Sequence, residues 1–197
     1  MFITIEGIDG CGKSTQAKRL GIWLKAKTGR KTICTFEPGG YPDGKRLRKF
    51  ILSGEGFAPL AELLLFLADR AEHVNSIILP ELKDGHNVIC ERYNDSTLAY
   101  QCGGHGLNAE HVMSIISSCK FPEPDIKIML EINPELAYSR VLQRHNLNDK
   151  FESEGLSLMK RVSDFYRTLE GYIVIRCTDM NESEVFMNIT SELEKRL

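Results

Sequence analysis

The sequence predicts an α/β protein in which a five-stranded parallel sheet carries helices on both faces. Short apolar runs of strand character alternate with longer stretches of helical periodicity along all 197 residues. Several of these runs are almost continuously apolar, as expected of strands that are covered on both sides. Hydrophobic residues make up 42% and charged residues 26%, which is typical of a globular chain. In this fold class ligands bind at the carboxyl ends of the strands.

The individual elements follow from the same patterns. The predicted strands are 2–5, 32–36, 87–90, 126–130 and 172–175. The predicted helices span about 13–27, 43–52, 60–82, 109–118, 134–144, 154–169 and 183–195. Pro134 suits a first helical turn, and Gly29 follows a helix end that carries Lys25 and Lys27. Because no repeat or composition shift divides the chain, we expect one domain over residues 1–197.

Charge and cysteine usage exclude several classes of partner. The net charge is 25 − 27 = −2, so no global basic field favours nucleic acid. The first residues lack the basic region of a signal peptide, and the longest strongly apolar run, Leu63 to Ala68, is too short to cross a membrane. Six scattered cysteines predict reduced thiols and a cytoplasmic location, and they disfavour a zinc site.

One motif follows the first strand and opens the first helix. Residues 7–14, GIDGCGKS, match the phosphate-binding pattern G-x-x-x-x-G-K-[ST] without substitution. Backbone N–H groups of such a loop bind phosphate oxygens, and the helix N-terminus adds its positive dipole. Lys13 would reach the β- and γ-phosphates of ATP, and the Ser14 hydroxyl would bind Mg²⁺. The motif predicts that the fold is a three-layer sandwich of the P-loop NTPase type. The predicted nucleotide-binding residues of the loop are Gly7, Ile8, Asp9, Gly10, Cys11, Gly12, Lys13, Ser14 and Thr15.

This loop alone leaves a kinase, a GTPase switch and an ATPase open. No Asn-Lys-x-Asp guanine motif is present. The third strand is followed by Glu91-Arg92, where an AAA-type ATPase should have Asp-Glu. An arginine beside a carboxylate at a strand end suits a second phosphate that accepts the γ-phosphoryl group. The pattern therefore favours a small-molecule kinase.

Further segments could form the acceptor side. EPGG at 37–40 makes a tight turn after the second strand. Arg48 lies in a basic helix that is typical of a solvated face, although one of its side chains could face an anion. Phe66 and Arg70 are four residues apart on one helix face, so a ring could stack on a base while the guanidinium binds its edge. Phe66 taken alone would fit core packing equally well. A polar segment, ERYNDSTLAYQ, follows at 91–101.

Together these segments resemble thymidylate (dTMP) kinases of the bacterial type over essentially the whole chain. The matching pieces are GIDGCGKST at 7–15, EPGG at 37–40, LLLFLADRAEHV at 63–74, ERYNDSTLAYQ at 91–101 and RVLQRHNLNDKFE at 140–152. The resemblance implies transfer of the γ-phosphoryl of ATP to dTMP with Mg²⁺. It also implies a short lid at about 140–152 and a homodimer.

The resemblance gives each acceptor residue a role. Phe66 would stack on thymine, Arg70 would donate to its exocyclic oxygen, and Tyr100 would select deoxyribose by packing under the sugar. Thr97 and Gln101 would reach the remaining polar edge of the base. The implied substrate-binding residues are Asp9 (to the sugar 3′-OH), Arg48 and Arg92 (to the acceptor phosphate), Glu37, Pro38, Phe66, Arg70, Thr97, Tyr100 and Gln101.

The metal and the lid complete the implied site. Glu91 and Glu37 would lie near Mg²⁺ and its waters, with Ser14 and Glu91 as the metal residues. Arg140 would stack on adenine and Arg144 would act on the transferring phosphoryl, with Lys150 as a helper. The implied catalytic residues are Lys13, Glu91, Arg92, Arg144 and Lys150.

The chain departs from the usual family pattern at three positions, and a fourth position varies within the family. Glu91 stands where the family usually has Asp, and Phe36 where Arg commonly precedes EPGG. Lys150 stands where the lid often has Arg, which a lysine cannot replace as a bidentate group. Gly10 stands where some relatives place an arginine in the loop.

Two other hypotheses remain at this point. A deoxynucleoside kinase or another nucleoside monophosphate kinase would share the phosphate loop, but a deoxynucleoside kinase, whose acceptor is a neutral hydroxyl, would not need Arg48. A nucleotide-binding regulatory protein would bind ATP and form no ADP when dTMP is added.

Overall fold

The sheet is parallel throughout and places the first strand at its centre. The computed structural model describes residues 1–53, 56–143 and 155–197. The strands are β1 (Phe2–Glu6), β2 (Thr32–Phe36), β3 (Asn87–Glu91), β4 (Ile126–Glu131) and β5 (Tyr172–Arg176). Their order is β2-β3-β1-β4-β5, and every pairing is parallel. All five predicted strands are confirmed.

The helices follow the predicted sequence of elements. They are α1 (Lys13–Thr28), α2 (Gly44–Leu52), α3 (Pro59–His73), α4 (Leu79–Lys83), α5 (Asn94–Thr97), α6 (Ala109–Ser118), α7 (Pro134–Leu142), α8 (Gly155–Tyr166) and α9 (Glu182–Glu194). A π-helical segment, Val74–Ile78, joins α3 to α4, so the helix expected over 60–82 is continuous but irregular. A second π-helical segment, Leu98–Gly104, extends α5. Such segments occur frequently at functional sites.

Helix α5 and the π-helical segment after it were not predicted as helix. The sequence suggested only a polar stretch there, because a helix is normally recognised by apolar residues at its inward positions. In the structure the inward positions are polar: Asp95, Ser96 and Thr97 are all buried. In α5 itself the buried side chains are polar, and apolar burial begins only at Leu98 and Ala99 of the following segment.

The crossovers divide the helices between the two faces of the sheet. The β1–α1–β2 crossover runs in one direction along the sheet, and the other crossovers run in the opposite direction. Because parallel crossovers are right-handed, the two directions place their helices on opposite faces. Helix α9 contacts α1 and β5 and so joins the α1 face. The predicted three-layer α/β sandwich is confirmed.

The core lies on both sides of the central strand. Every residue of β1 is buried. Ile3 and Ile5 belong to one large apolar cluster with Leu20 and Leu24 of α1. Fully burying side chains of this kind stabilises a protein by about 1.5–3 kcal/mol each. The rigid centre of the fold is therefore the strand that leads into the phosphate loop.

The cysteine and membrane predictions can be checked against the described residues. All six cysteines are described and are free thiols; four are buried, while Cys34 and Cys119 are exposed. None of the described helices combines the length and apolar character required to cross a membrane.

Candidate active site

The phosphate loop leaves β1 and wraps around the side chain of Lys13. The loop ends at Gly12, whose φ of 99° is in the left-handed region that glycine tolerates. Lys13 Nζ donates hydrogen bonds to the carbonyl oxygens of Gly7 and Ile8, both at 2.9 Å, and the residue is 7% exposed. The loop thus holds a cation at the N-terminus of α1, where phosphate oxygens bind.

Gly10 lies directly against α7. A Cβ atom at this position would lie 2.3 Å from the Ala137 carbonyl oxygen, and the φ of Gly10 is +82°. A larger side chain would therefore require α7 to move. Arg140 of the same helix donates from Nη1 to the Gly10 carbonyl oxygen at 3.4 Å. This geometry explains why the loop carries no arginine at position 10.

Ser14 and Glu91 meet at the carboxyl edge of the sheet. The parallel register pairs Ile5 of β1 with Glu91 of β3, so the end of β3 lies beside the start of α1. Ser14 Oγ donates to Glu91 Oε2 at 2.6 Å. Hydroxyl and carboxylate oxygens are ligands that Mg²⁺ prefers, and neither residue is buried. The pair therefore fits a magnesium site, and the longer Glu91 side chain reaches Ser14.

A cavity opens next to the phosphate loop. All ten residues assigned to the substrate from the sequence line it, together with Leu52 and Ser96, which sequence reasoning missed. The lining residues are Asp9, Glu37, Pro38, Arg48, Leu52, Phe66, Arg70, Arg92, Ser96, Thr97, Tyr100 and Gln101. Because Asp9 belongs to the phosphate loop, the cavity and the loop are parts of one site.

Asp9, Arg92 and Tyr100 form a hydrogen-bonded group at the junction. Arg92 Nη2 donates to Asp9 Oδ1 at 2.7 Å, and Tyr100 Oη donates to Asp9 Oδ2 at 2.9 Å. Burial opposes ionisation of Asp9, but Arg92 and Lys13 outweigh it and hold its pKa below the usual range. Arg92 has a φ of 67°, which is uncommon for a residue other than glycine and typical of functional positions.

Arg48 lies at the opposite side of the cavity mouth. Its Nη1 donates to the Pro38 carbonyl oxygen at 2.8 Å, and its guanidinium lies 5.5 Å from the centre of the Phe36 ring. The neighbouring cations Lys45, Arg46 and Lys49 are exposed. Arg48 is thus the member of the basic cluster that faces the cavity. Phe36, which replaces the arginine common in the family, holds Arg48 by a cation–π contact.

Glu37 has different partners from those the resemblance suggested. Its Oε2 accepts from Arg70 Nε at 2.6 Å, and its Oε1 lies 2.9 Å from His73 Nδ1. Glu37 is 4% exposed, and both of its oxygens are engaged inside the cavity wall. The expectation that Glu37 lies near Mg²⁺ and its waters stays a prediction. Glu37 fixes Arg70, which is directed at the base end of the cavity.

Arg70 is held from three directions. Besides Glu37, its Nη1 donates to Asn94 Oδ1 at 3.2 Å and its Nη2 to the Tyr93 carbonyl oxygen at 3.0 Å. One N–H of each terminal nitrogen lies outside these bonds. Burial disfavours the charge, but Glu37 outweighs it and raises the pKa of Arg70, so the guanidinium remains ionised. A fixed cation with spare donors suits recognition of a carbonyl oxygen.

Side chains of helix α3 also stabilise the EPGG turn and the end of β2 by hydrogen bonds. Asp69 Oδ2 accepts from the Gly39 backbone N–H at 2.9 Å. His73 Nε2 lies 2.7 Å from Thr35 Oγ1 at the end of β2. His73, Glu37 and the Cys90 thiol also lie close enough to surround a metal ion. Since Glu37 already binds Arg70, and burial raises the pKa of Cys90 well above its usual value, this group is better suited to bracing the turn.

The base end of the cavity combines one ring with two polar groups. Phe66 is half-buried and lines the cavity, as expected of a stacking residue. Thr97 Oγ1 and Gln101 Oε1 are buried and have no hydrogen-bond partner among the described residues. Buried polar atoms without partners are rare, and here they face the place where a base would bind.

Sequence reasoning missed both Ser96, which lines the cavity, and its buried hydrogen-bond partner Glu6. Ser96 Oγ donates to Glu6 Oε2 at 2.6 Å and accepts from Arg92 Nη1 at 3.2 Å. Glu6 also accepts from the Tyr93 backbone N–H at 2.7 Å. Burial and the nearby Asp95 raise the pKa of Glu6 to about 7. No pattern in the sequence distinguishes these residues from ordinary strand and loop positions.

The lid prediction falls largely on residues that the structure does not describe. Arg144 and Lys150 lie outside the described residues, and of the three lid cations only Arg140 is placed. Its contact with Gly10 puts Arg140 beside the phosphate loop.

Comparisons with known proteins show which family this chain is similar to. The family model for thymidylate kinase matches residues 5–188. Thymidylate kinase from Prochlorococcus marinus (strain MIT 9301) is 46% identical over 176 residues, covering 85% of this chain and 82% of that protein. The enzyme from Synechococcus sp. (strain JA-2-3B'a(2-13)) is 40% identical over 202 residues, covering 100% and 96%. The crystal structure of thymidylate kinase from Ehrlichia chaffeensis superposes with a TM-score of 0.76 at 30% identity, covering 98% of both chains.

Proposed function

The chain belongs to the thymidylate kinase family, and we infer that it transfers the γ-phosphoryl group of ATP to dTMP, giving dTDP and ADP. The observation that carries the inference is the position of Asp9, which is part of the phosphate loop and also lines the cavity. A donor nucleotide on the loop and an acceptor in the cavity would meet there.

Lys13 and the loop hold the donor. The loop N–H groups would bind the β-phosphate, and Lys13 would move its charge from the Gly7 and Ile8 carbonyl oxygens to the β- and γ-phosphates. Arg140, which already touches the loop, would lie at the adenine side of ATP.

Ser14 and Glu91 would hold Mg²⁺ at the donor phosphates. Mg²⁺ held by these two residues would supply positive charge that offsets the negative charge developing during transfer. The Ser14 hydroxyl donates to Glu91, so its oxygen lone pairs are free to face the metal, while the carboxylate supplies negative charge. Thr15, next to Ser14 and exposed, completes the loop segment that we assign to the nucleotide.

Arg48 and Arg92 would grip the phosphate of dTMP. Each is tied to a neighbour, Arg48 to Pro38 and Arg92 to Asp9, so both enter the reaction already oriented. Such preorganisation lowers the barrier because phosphoryl transfer depends on alignment and charge neutralisation. The ionised Asp9 would accept the sugar 3′-OH while it holds Arg92 in place.

Phe66 and Arg70 would recognise the base. The Phe66 ring would stack on thymine, and the spare N–H groups of Arg70 would donate to an exocyclic oxygen. Tyr100, whose hydroxyl bonds Asp9 and Arg92, would pack beneath the sugar where a ribose 2′-OH would clash. Thr97 and Gln101 would supply the remaining hydrogen bonds to the base.

We propose that residues 1–197 form a single kinase domain with its lid at about 140–152. Arg144 would act on the transferring phosphoryl group, with Lys150 as a weaker helper. The closed packing of Gly10 against α7 supports this, because it leaves no room for an arginine within the loop. We also propose that the enzyme acts in the cytoplasm, given its reduced cysteines.

We propose a homodimer formed through helices α3 and α6. Leu63 and Leu67 of α3 pack against α6, while Leu60, Leu64 and Met113 are about half exposed on the outer side of these helices. Exposed apolar groups concentrated on one face favour an interface between copies. Sedimentation should show a dimer, and Leu64→Arg should shift the protein towards monomer. A wild-type monomer at micromolar concentration would contradict this assignment.

The reaction is tested with a panel of nucleoside monophosphates, ATP and Mg²⁺. We expect dTDP and ADP to form from dTMP, with much slower turnover of other monophosphates. Turnover of thymidine without turnover of dTMP would indicate a deoxynucleoside kinase. ATP binding without ADP formation in the presence of dTMP would indicate a regulatory protein.

A further inference from the structure

The side chain of Gln101 forms part of the cavity wall. The nitrogen of its amide is hydrogen-bonded within the described part of the protein, and the oxygen is not. Its Nε2 donates to Glu62 Oε1 at 2.8 Å. Gln101 lines the cavity, and its Oε1 is buried with no hydrogen-bond partner among the described residues. Gln101 itself is 0% exposed, so solvent does not satisfy that oxygen.

Glu62 determines which end of the amide is free. An ionised carboxylate accepts hydrogen bonds and cannot donate them. If the amide turned over, Gln101 Oε1 would face Glu62 Oε1, and two acceptors would be in contact without a proton between them. The cost of leaving such buried groups unpaired is large. Gln101 therefore presents an acceptor, and not a donor, to the cavity.

The structure holds Glu62 firmly in this position. Glu62 is 2% exposed and lies in the first turn of α3, where the helix dipole favours a negative charge. His105 Nδ1 lies 3.3 Å from the same Oε1 atom that accepts from Gln101. Glu62 itself does not line the cavity.

We propose that Glu62 is a positioning residue for base selection: it fixes the Gln101 amide so that the cavity accepts a hydrogen bond from a ring N–H. The proposal rests on the proposed function and names the feature of the base that the site selects. Thymine and uracil carry an N–H between two carbonyl groups, whereas cytosine has an unprotonated ring nitrogen at that position. With Gln101 fixed, cytosine would set an acceptor against an acceptor.

The test replaces Glu62 by glutamine, which has the same shape. A glutamine at position 62 can donate as well as accept, so the Gln101 amide could turn over at little cost. We expect kcat/KM for dTMP to fall by about twofold, because roughly half of the amides would face the wrong way. We expect kcat/KM for dCMP to rise by at least about tenfold, and the preference for dTMP to narrow accordingly.

Glu62→Asp is the matched control, because an aspartate is still an acceptor only. Its preference for dTMP over dCMP should stay close to that of the wild type, even if both KM values rise. The preference is a ratio measured on one preparation, so a partly unfolded fraction cancels from it. Removal of the amide by Gln101→Leu should lower kcat/KM for dTMP and leave that for dCMP almost unchanged.

The outcomes separate this inference from the proposed reaction. A wild-type protein that does not phosphorylate dTMP would refute the reaction itself. A wild-type protein that does so, together with an unchanged dTMP preference in Glu62→Gln, would refute only the positioning role of Glu62. An equal loss of preference in Glu62→Asp would also refute it, because the carboxylate would then matter through packing.

Discussion

The phosphate loop and the acceptor cavity share Asp9, but the two regions are built differently. The loop uses backbone groups and one lysine from consecutive residues between β1 and α1. The cavity uses side chains from the loop, the EPGG turn, α2, α3 and the helical stretch after β3. The donor side therefore depends on backbone conformation, and the acceptor side depends on side chains that other side chains hold.

The two regions differ most in the buried side chains that hold the ligand-binding residues in place. Around the acceptor cavity Glu37 holds Arg70, Asp69 holds the EPGG turn, and Glu62 holds Gln101. All three carboxylates are nearly inaccessible to solvent. The loop has few such supports, because helix geometry already directs its N–H groups at the phosphates. A change on the donor side should therefore affect the rate of transfer, and a change on the acceptor side should affect which nucleotide is used.

The largest effect should come from Lys13→Ala on the donor side. We expect kcat to fall by at least about 10²–10³-fold, because a preorganised charge at the reacting phosphates would be lost. The two bonds to loop carbonyl oxygens would also be lost, so melting should be measured alongside kinetics.

Lys18→Ala, an exposed lysine on the same helix, is the control for that change and should leave kcat unaltered. A folded Lys13→Ala protein with normal turnover would overturn the assignment of the loop.

The second effect tests Arg144 and Lys150 of the lid, which lie outside the described residues. Arg144→Ala should lower kcat by at least about 10²-fold, because an arginine at a phosphoryl-transfer transition state accelerates the reaction by roughly 10³–10⁵. Both KM values should change far less. Lys150→Arg should be neutral or slightly faster. Arg30→Ala, at an exposed arginine, serves as the control. If Lys150→Ala loses activity while Arg144→Ala keeps it, the two roles are exchanged.

The sequence predicted the donor side and the sheet more fully than the acceptor side. The loop pattern, the strand that precedes it and the helix that follows are consecutive in the chain, and the structure contains all three. The substrate residues carried over from the family resemblance all line the cavity. What the sequence did not show is that Glu37, expected near Mg²⁺ and its waters, pairs with Arg70 and His73.

The sequence does not reveal the hydrogen-bonded pairs around the cavity because each pair joins residues that are far apart in the chain. Glu37 and Arg70 are 33 residues apart, and Gln101 and Glu62 are 39 apart. In the sequence Glu62 and His73 are indistinguishable from polar residues on the solvent face of a helix. Only the packing of α3 beneath the EPGG turn and beside the 98–104 segment brings them to the cavity wall. Arg48, the residue of the basic cluster that was assigned to the substrate, lines the cavity, but its contact with Phe36 was not foreseen.

A smaller effect, confined to one substrate, should come from Phe66→Ala on the acceptor side. Loss of stacking should weaken dTMP binding by about 1–3 kcal/mol, and the change should appear in KM for dTMP. KM for ATP should hardly change, since Phe66 lines the cavity and not the loop. Phe186→Ala removes a half-buried ring on α9 and is the matched control, which should alter neither KM. An equal rise in both KM values for Phe66→Ala would mean that the ring only packs the core.

The last effect concerns stability and not catalysis, and it comes from Glu6, below Arg92. Burial and Asp95 raise its pKa in the folded protein from 4.5 to about 7. Between these values the unfolded chain ionises while the folded protein stays protonated, so folding binds a proton and the free energy of unfolding falls as pH rises. Below pH 4.5 the contribution is fully present, and above about 7 it is lost. Relative to Glu6→Gln, which cannot ionise, the free energy of unfolding of the wild type should therefore fall by at most about 3 kcal/mol across this window.

Denaturant unfolding at several pH values measures this difference, and the exposed Glu110→Gln should show no such trend. If the free energies of unfolding of the wild type and Glu6→Gln differ by the same amount from pH 4.5 to 8, Glu6 does not have a raised pKa in the folded protein.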